Sequence, residues 1–167
     1  MSYTLDEFAA DCRRALAKDS GPAGIEEVRT YVEKALKDDD LIAEYLPADA
    51  DKERRVLYED PDLKFCICAH VYQGPKDGFP HDHGPTWAIY GQAVGETEMT
   101  DWEIIKPASG DEPALVKQTR SYSLKPGDAH AYPAGAVHAP LRNGPTRLIR
   151  VEGQNCDHIT RTPIKAA

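Results

Sequence analysis

Two histidines one residue apart are the first residues here whose types and spacing point to chemistry. His81 and His83 stand in "GFPHDHGPTWAIYG", residues 78–91, between turn-forming neighbours. On an extended strand, residues two apart point to one face, so both imidazoles would project together and Asp82 would turn away. One short segment then offers two neighbouring metal ligands at fixed angles. Imidazole nitrogens suit iron, zinc, nickel and copper, so the pair does not select the metal. Two histidines do not complete a site, and the same pair serves equally well as polar residues on a solvent-facing strand. The elements around them have to supply the rest.

The chain has 167 residues, the length of one domain able to bury a sizeable core. It carries 28 acidic and 20 basic residues, a formal net charge of -8. A surface of that sign repels phosphate backbones and argues against nucleic acid as a partner. The start, "MSYTLDEFAADCRR", has acids and no long apolar run, so neither a signal peptide nor a membrane segment is expected. No apolar stretch approaches the roughly 20 residues a bilayer needs, and the expected compartment is the cytoplasm. The four cysteines are then expected as reduced thiols. Cys66 and Cys68 lack the two-residue spacer of redox and zinc motifs and read as small residues on one strand face.

Residues 1–46 read as a helical pair. Leu5, Phe8, Ala9, Cys12 and Leu16 recur at helical spacing behind a possible Thr4 cap. "SGPAG" breaks the pattern, which resumes with Ile25, Val28, Val32, Ala35 and Leu36 on one stripe until Pro47. From residue 50 to 153 the texture changes to short runs between turn signals such as "QGPKDG", "KPGD" and "RNGP". Seven or eight short strands with no helix-length pattern among them predict a sandwich or small barrel, not a parallel α/β fold. Residues 154–167 read as an irregular tail.

The second half contains "GDAHAYPAGAVHAPLRN", with Gly127, Pro133, Gly135 and His138 in the spacing of the second cupin motif, G(X)5PXG(X)2H(X)3N. Only Asn143 is late, by one residue. His81, His83 and Gly95 likewise match the first motif, HXH(X)3-4E(X)6G. The chain therefore resembles the cupin superfamily, which implies a mainly β fold, a double-stranded β-helix, with the helices as an N-terminal addition. The resemblance implies a metal held by His81, His83 and His138. One departure is informative. The motif's glutamate position falls on Ala88, and no carboxylate follows before Glu96. Three neutral histidines leave a divalent ion with about +2 of charge, against about +1 when one ligand is a carboxylate. Such a centre favours anionic substrates, a thiolate or an enolate, together with dioxygen.

The missing glutamate is similar to the thiol dioxygenases, cysteine dioxygenase type I and its bacterial relatives, which hold Fe(II) with three histidines. "RRVLYEDPDLKFCICAHVYQGPKDGFPHDH" is similar in spacing to that family's arginine, Lys-Phe strand and HDH. The arginine that binds the substrate carboxylate there falls on Arg55, with Arg54 as the alternative. Two departures bear on the substrate. The animal enzymes place a cross-linked cysteine where Ala88 stands, so that cross-link is impossible here. Their Ser-His-Tyr triad is also absent: "TRLIRVEGQ" offers Leu148, Arg150 and Glu152 at alternate positions. If Ala88 faces the metal, period two sends Thr86, Tyr90 and Gln92 inward too, and makes Tyr90 the candidate catalytic hydroxyl. Trp87 points outward, His70 and Tyr72 share a face near the pocket mouth, and His130 and His158 are expected in solvent.

The expected activity is a non-haem Fe(II) dioxygenase that adds O2 to a small thiol and gives a sulfinate. Two alternatives remain at this point. One is a three-histidine dioxygenase acting on an enolisable carbon acid such as a β-diketone. The other is a non-oxidative metal-dependent isomerase, lyase or binding module carrying zinc, nickel or another divalent metal.

Overall fold

The computed structural model describes residues 2–167. Helix α1 (Leu5–Lys18) starts on a capping box: the Thr4 hydroxyl accepts from the Glu7 backbone N–H at 3.1 Å, and the Glu7 carboxylate accepts from the Thr4 N–H at 3.0 Å. Its buried stripe is Phe8, Ala9, Cys12, Ala15 and Leu16. Helix α2 (Pro22–Leu36) begins with proline in its first turn, where a missing N–H costs nothing. The second half of the expected pair is in fact two helices. Asp38 accepts from the Leu41 N–H at 2.9 Å and starts a separate short helix, α3 (Asp39–Tyr45).

Ten strands follow: β1 (Arg54–Glu59), β2 (Cys66–Tyr72), β3 (Lys76–Asp77), β4 (Ala88–Val94), β5 (Thr97–Lys106), β6 (Ala114–Leu124), β7 (Ala129–Tyr132), β8 (Val137–Arg142), β9 (Thr146–Glu152) and β10 (Ile164–Ala166). Eight of them are the runs expected from the turn signals. The other two, β3 and β10, are too short to show a period. The tail is therefore not wholly irregular: β10 pairs parallel to β6.

The strands form two five-stranded sheets, in the orders β1-β2-β9-β4-β7 and β10-β6-β5-β8-β3. The first sheet has two different faces, as strand alternation requires. Ile67, Ala69, Val71, Ile89, Ile149 and Val151 pack outward against Val28, Val32 and Leu36 of α2. The helix comes so close that a Cβ on Gly91 would meet Val32 Cγ1 at 2.5 Å, so only glycine fits there. Between the sheets lies a second cluster of Ala88, Tyr90, Met99, Leu124 and Tyr132. The same register turns Arg54, His70, Arg150 and Glu152 inward. The functional question concerns this inner face.

Candidate metal centre

His138 lies on β8 of the second sheet, opposite Asp101 of β5. His81 and His83 are not on a strand, contrary to the expectation. Gly84 takes the left-handed region, φ 59°, and a turn runs to Thr86 before β4 begins. His81 is instead anchored by a two-way bridge to His138, its N–H donating to the His138 carbonyl at 3.0 Å and the reverse also at 3.0 Å. That bridge brings the two halves of the motif together across 57 residues, from 81 to 138. One ligand nitrogen from each of His81, His83 and His138 lies within 4.8 Å of the other two.

A local bond leaves one of these rings ready to bind a cation. A carbonyl only accepts, so His81 Nδ1–H donates to the Phe79 carbonyl at 2.8 Å, which leaves Nε2 with its lone pair free. His83 Nε2 and His138 Nε2 are 3.1 Å apart. Burial pushes the pKa of His81 down to about 4 and of His83 down to about 2, with the Arg150 charge adding to both. Burial and the neighbouring histidines hold His138 well below its ordinary value. All three are thus neutral imidazoles at neutral pH, the form that ligates. Ala88, where a fourth, acidic ligand would stand, is fully buried. This donor set fits a divalent transition metal and does not fit calcium or magnesium, which take oxygen ligands.

Tyr90 is buried among these ligands. Its hydroxyl lies 3.0 Å from His83 Nε2 and 3.1 Å from His138 Nε2. Burial raises its pKa, so the phenol stays protonated. The Arg150 guanidinium lies over the ring, 4.4 Å from its centre. Tyr132 packs against both, its ring 4.2 Å from the His138 ring and 5.2 Å from the Tyr90 ring.

Behind this layer is an ionic one. Glu152 is fully buried. It accepts from Arg54 at 2.7 and 3.1 Å, from Arg150 at 3.2 Å and from the Cys156 N–H at 3.1 Å. Burial opposes its charge, but these donors outweigh burial and hold the carboxylate ionised well below its usual range. Cys66 and Cys68, expected as plain strand residues, place their thiols 3.5 and 3.9 Å from Glu152 Oε1. Cys156 Sγ lies 3.5 Å from His83 Nδ1.

Arg55, which the resemblance put at the substrate, is not in this group. It sits on the outward face of β1, and its guanidinium donates to the Tyr45 carbonyl at 2.8 Å. The neighbouring Arg54 faces inward and is committed to Glu152, Asn155 and Asp157. His70 is buried between Arg54 and Tyr72, at 3.2 and 3.1 Å. His130 is not in a solvent-exposed turn; it lies on β7, stacked on Tyr122. Asn143 is exposed in the turn after β8, away from the histidines. Arg150 and Cys156 have places here that spacing alone did not assign.

Fold and site together define a class: a cupin-type double-stranded β-helix with a three-histidine group able to hold a metal. Comparison with known proteins agrees on the fold. No protein-family model matches the chain, and no curated protein is similar to it in sequence. Solved structures do resemble it. An uncharacterised protein with a double-stranded β-helix domain from Klebsiella pneumoniae is 17% identical, covering 74% of this chain and 88% of that one, with a TM-score of 0.50. KdgF from Halomonas sp. is 18% identical over 64% of this chain and 82% of its own, with a TM-score of 0.47. A cupin superfamily protein from Desulfitobacterium hafniense is 14% identical over 67% and 76%, with a TM-score of 0.44. The likeness to the Klebsiella protein, at 17% identity and a TM-score of 0.50, is one of fold alone. Among the described residues, no helix is long and apolar enough to cross a membrane.

Proposed function

We propose that this chain is a metal-dependent dioxygenase that adds both atoms of O2 to the sulfur of a small thiol. The observation that carries the reading is the donor set: three neutral histidines, with Ala88 in the place of a carboxylate. The overall reaction balances as R–SH + O2 → R–SO2⁻ + H⁺. Sulfur supplies all four electrons, so no external reductant is needed. The metal, Fe(II) in this reading, supplies Lewis acidity that favours the thiolate and a place where thiolate and O2 meet.

The chain's own residues do the rest. His81, His83 and His138 hold the ion with about +2 of residual charge, which favours an anionic sulfur. Tyr90 keeps its proton and holds its hydroxyl within 3.1 Å of both Nε2 atoms; with their lone pairs on the ion, that hydroxyl would be free to donate to a ligand beside it. Arg150 and Glu152 stand where the similar family has part of its triad, but they are bound to each other at 3.2 Å. Proton handling at the reacting group therefore falls to Tyr90, and the Arg54–Glu152–Arg150 group holds the wall behind it.

The test is oxygen consumption by iron-loaded protein with a panel of small thiols, cysteine and 3-mercaptopropionate among them. Uptake with matching sulfinate supports the reading. No uptake with any thiol overturns it. In that event, uptake with β-diketones would indicate a carbon-acid dioxygenase. Bound zinc or nickel with no uptake at all would indicate a non-oxidative enzyme.

A further inference from the structure

A stack of aromatic rings leads away from the histidine group. Tyr132, at the end of β7, lies 4.2 Å from the His138 ring, centre to centre. His130, on the same face of β7, lies 4.5 Å from Tyr132 and is stacked on Tyr122 of β6 at 5.1 Å. Tyr90 meets the stack from inside, 5.2 Å from Tyr132. The hydroxyls follow the same course. Tyr122 donates to Asp101 Oδ1 at 3.0 Å, so its own oxygen accepts from the Tyr132 hydroxyl at 2.7 Å. Tyr132 is buried, whereas the Asp101 side chain is 25% exposed, and Arg120 holds its other oxygen at 2.8 Å. Electron-rich rings and a proton path thus run side by side from the buried centre to the surface.

A phenol gives up an electron readily only when its proton can leave with it. In a low-dielectric interior a neutral phenoxyl costs far less than a ring cation. Tyr90 has no such outlet. Its hydroxyl faces His83 and His138, whose lone pairs would lie on the ion, and Arg150 stands over its ring. Tyr132 has one, through Tyr122 to Asp101. Arg120 lies over Tyr122, 4.7 Å from the ring centre, which disfavours a ring cation there but not a neutral radical.

We infer that Tyr132 and Tyr122 drain oxidising equivalents from the three-histidine centre, with Asp101 as proton acceptor, and so spare the imidazoles that hold the ion. The inference rests on the proposed function only in taking the ion to be Fe(II). The oxidant is hydrogen peroxide. It takes one electron from the ion and one from Tyr132, and its O–O bond breaks to give two hydroxides. Tyr132 passes its proton to Tyr122 as Tyr122 passes its own to Asp101. An electron and a proton from Tyr122 then restore Tyr132, which leaves the radical on Tyr122 and the acid form of Asp101.

The route can be read without turnover. Iron-loaded protein is mixed with hydrogen peroxide and frozen, and the sample is read by EPR, by iron content and by peptide mass mapping. The wild type should show a tyrosyl radical. Tyr122→Phe and Asp101→Asn should lose it: the first removes its resting place, the second its proton acceptor while keeping both tyrosines. In both, and in Tyr132→Phe, oxidised imidazole at His81, His83 and His138 should rise severalfold over the wild type. Bound iron without a tyrosyl radical in the wild type overturns the inference, as does an undiminished radical in folded Tyr122→Phe. Histidine oxidation no greater in folded Tyr132→Phe than in the wild type is equally contrary. If Tyr132→Phe does not fold, Asp101→Asn, changed only at the surface end, decides by the same two measurements. A wild type that binds no iron overturns the metal centre and this route with it. A radical on Tyr122 in a protein that takes up no oxygen with any thiol would keep the route and discard the proposed reaction.

Discussion

The Tyr90 hydroxyl lies 3.0 Å from Nε2 of His83, which puts the acid–base candidate within hydrogen-bond reach of a candidate metal ligand. Tyr90→Phe removes the hydroxyl and keeps the ring under Arg150. Metal content should not change, and thiol turnover should fall by about 10²–10⁴-fold, the range for a positioned general acid. Elemental analysis alongside oxygen uptake checks both halves. Wild-type turnover in this variant would remove Tyr90 from the mechanism.

Glu152 should matter through stability. Its carboxylate joins two arginines in the interior, and Glu152→Gln leaves Arg150 without its counter-ion and Arg54 with Asp157 alone. Breaking a buried pair in this way costs about 3–5 kcal/mol. Urea denaturation measures the loss, and a variant as stable as the wild type would contradict the ionic layer described above.

The β1 arginines should separate cleanly. Arg55→Met loses one hydrogen bond to the Tyr45 carbonyl, worth about 1 kcal/mol, and should leave the KM for thiol unchanged. Arg54→Met should destabilise much more, since it strips Glu152 of two hydrogen bonds. A raised KM in Arg55→Met with stability intact would return that residue to the substrate.

Asp60 predicts an acid response. It is fully buried and accepts from Arg13 at 2.8 Å, Tyr58 at 2.8 Å and the Leu63 N–H at 2.7 Å, which ties α1 to the turn between β1 and β2. Burial opposes its charge, yet these donors bring its pKa down to about 2. A lowered pKa means stability that is complete above the ordinary value of 3.8 and lost as pH falls through about 2. The stability gap between wild type and Asp60→Asn should therefore be wide at pH 5 and narrow towards pH 2. A gap that stays constant between those two pH values would show that Asp60 is not held ionised.

Much of this was legible from residue spacing, for physical reasons. Each long strand is a β-rich run closed by proline or glycine, so eight of them stand out. β3 and β10 do not, because two or three residues carry no period and exist only through pairing with β8 and β6. The break before α3 depended on one cap, Asp38, within an otherwise continuous helical pattern. The histidine trio was legible through its motif. The inward arginine was not, because Arg54 and Arg55 are adjacent and only the β1–β2 register, Arg54 opposite His70, sets the face.

The central claim is that His81, His83 and His138 hold one transition-metal ion. The direct measurement is metal content by elemental analysis, for protein purified without added metal and after loading with Fe(II) and removal of excess. One ion per chain in the wild type and none in His138→Ala, with the variant still folded by circular dichroism, is the predicted result. Full metal occupancy in a folded His138→Ala would contradict it.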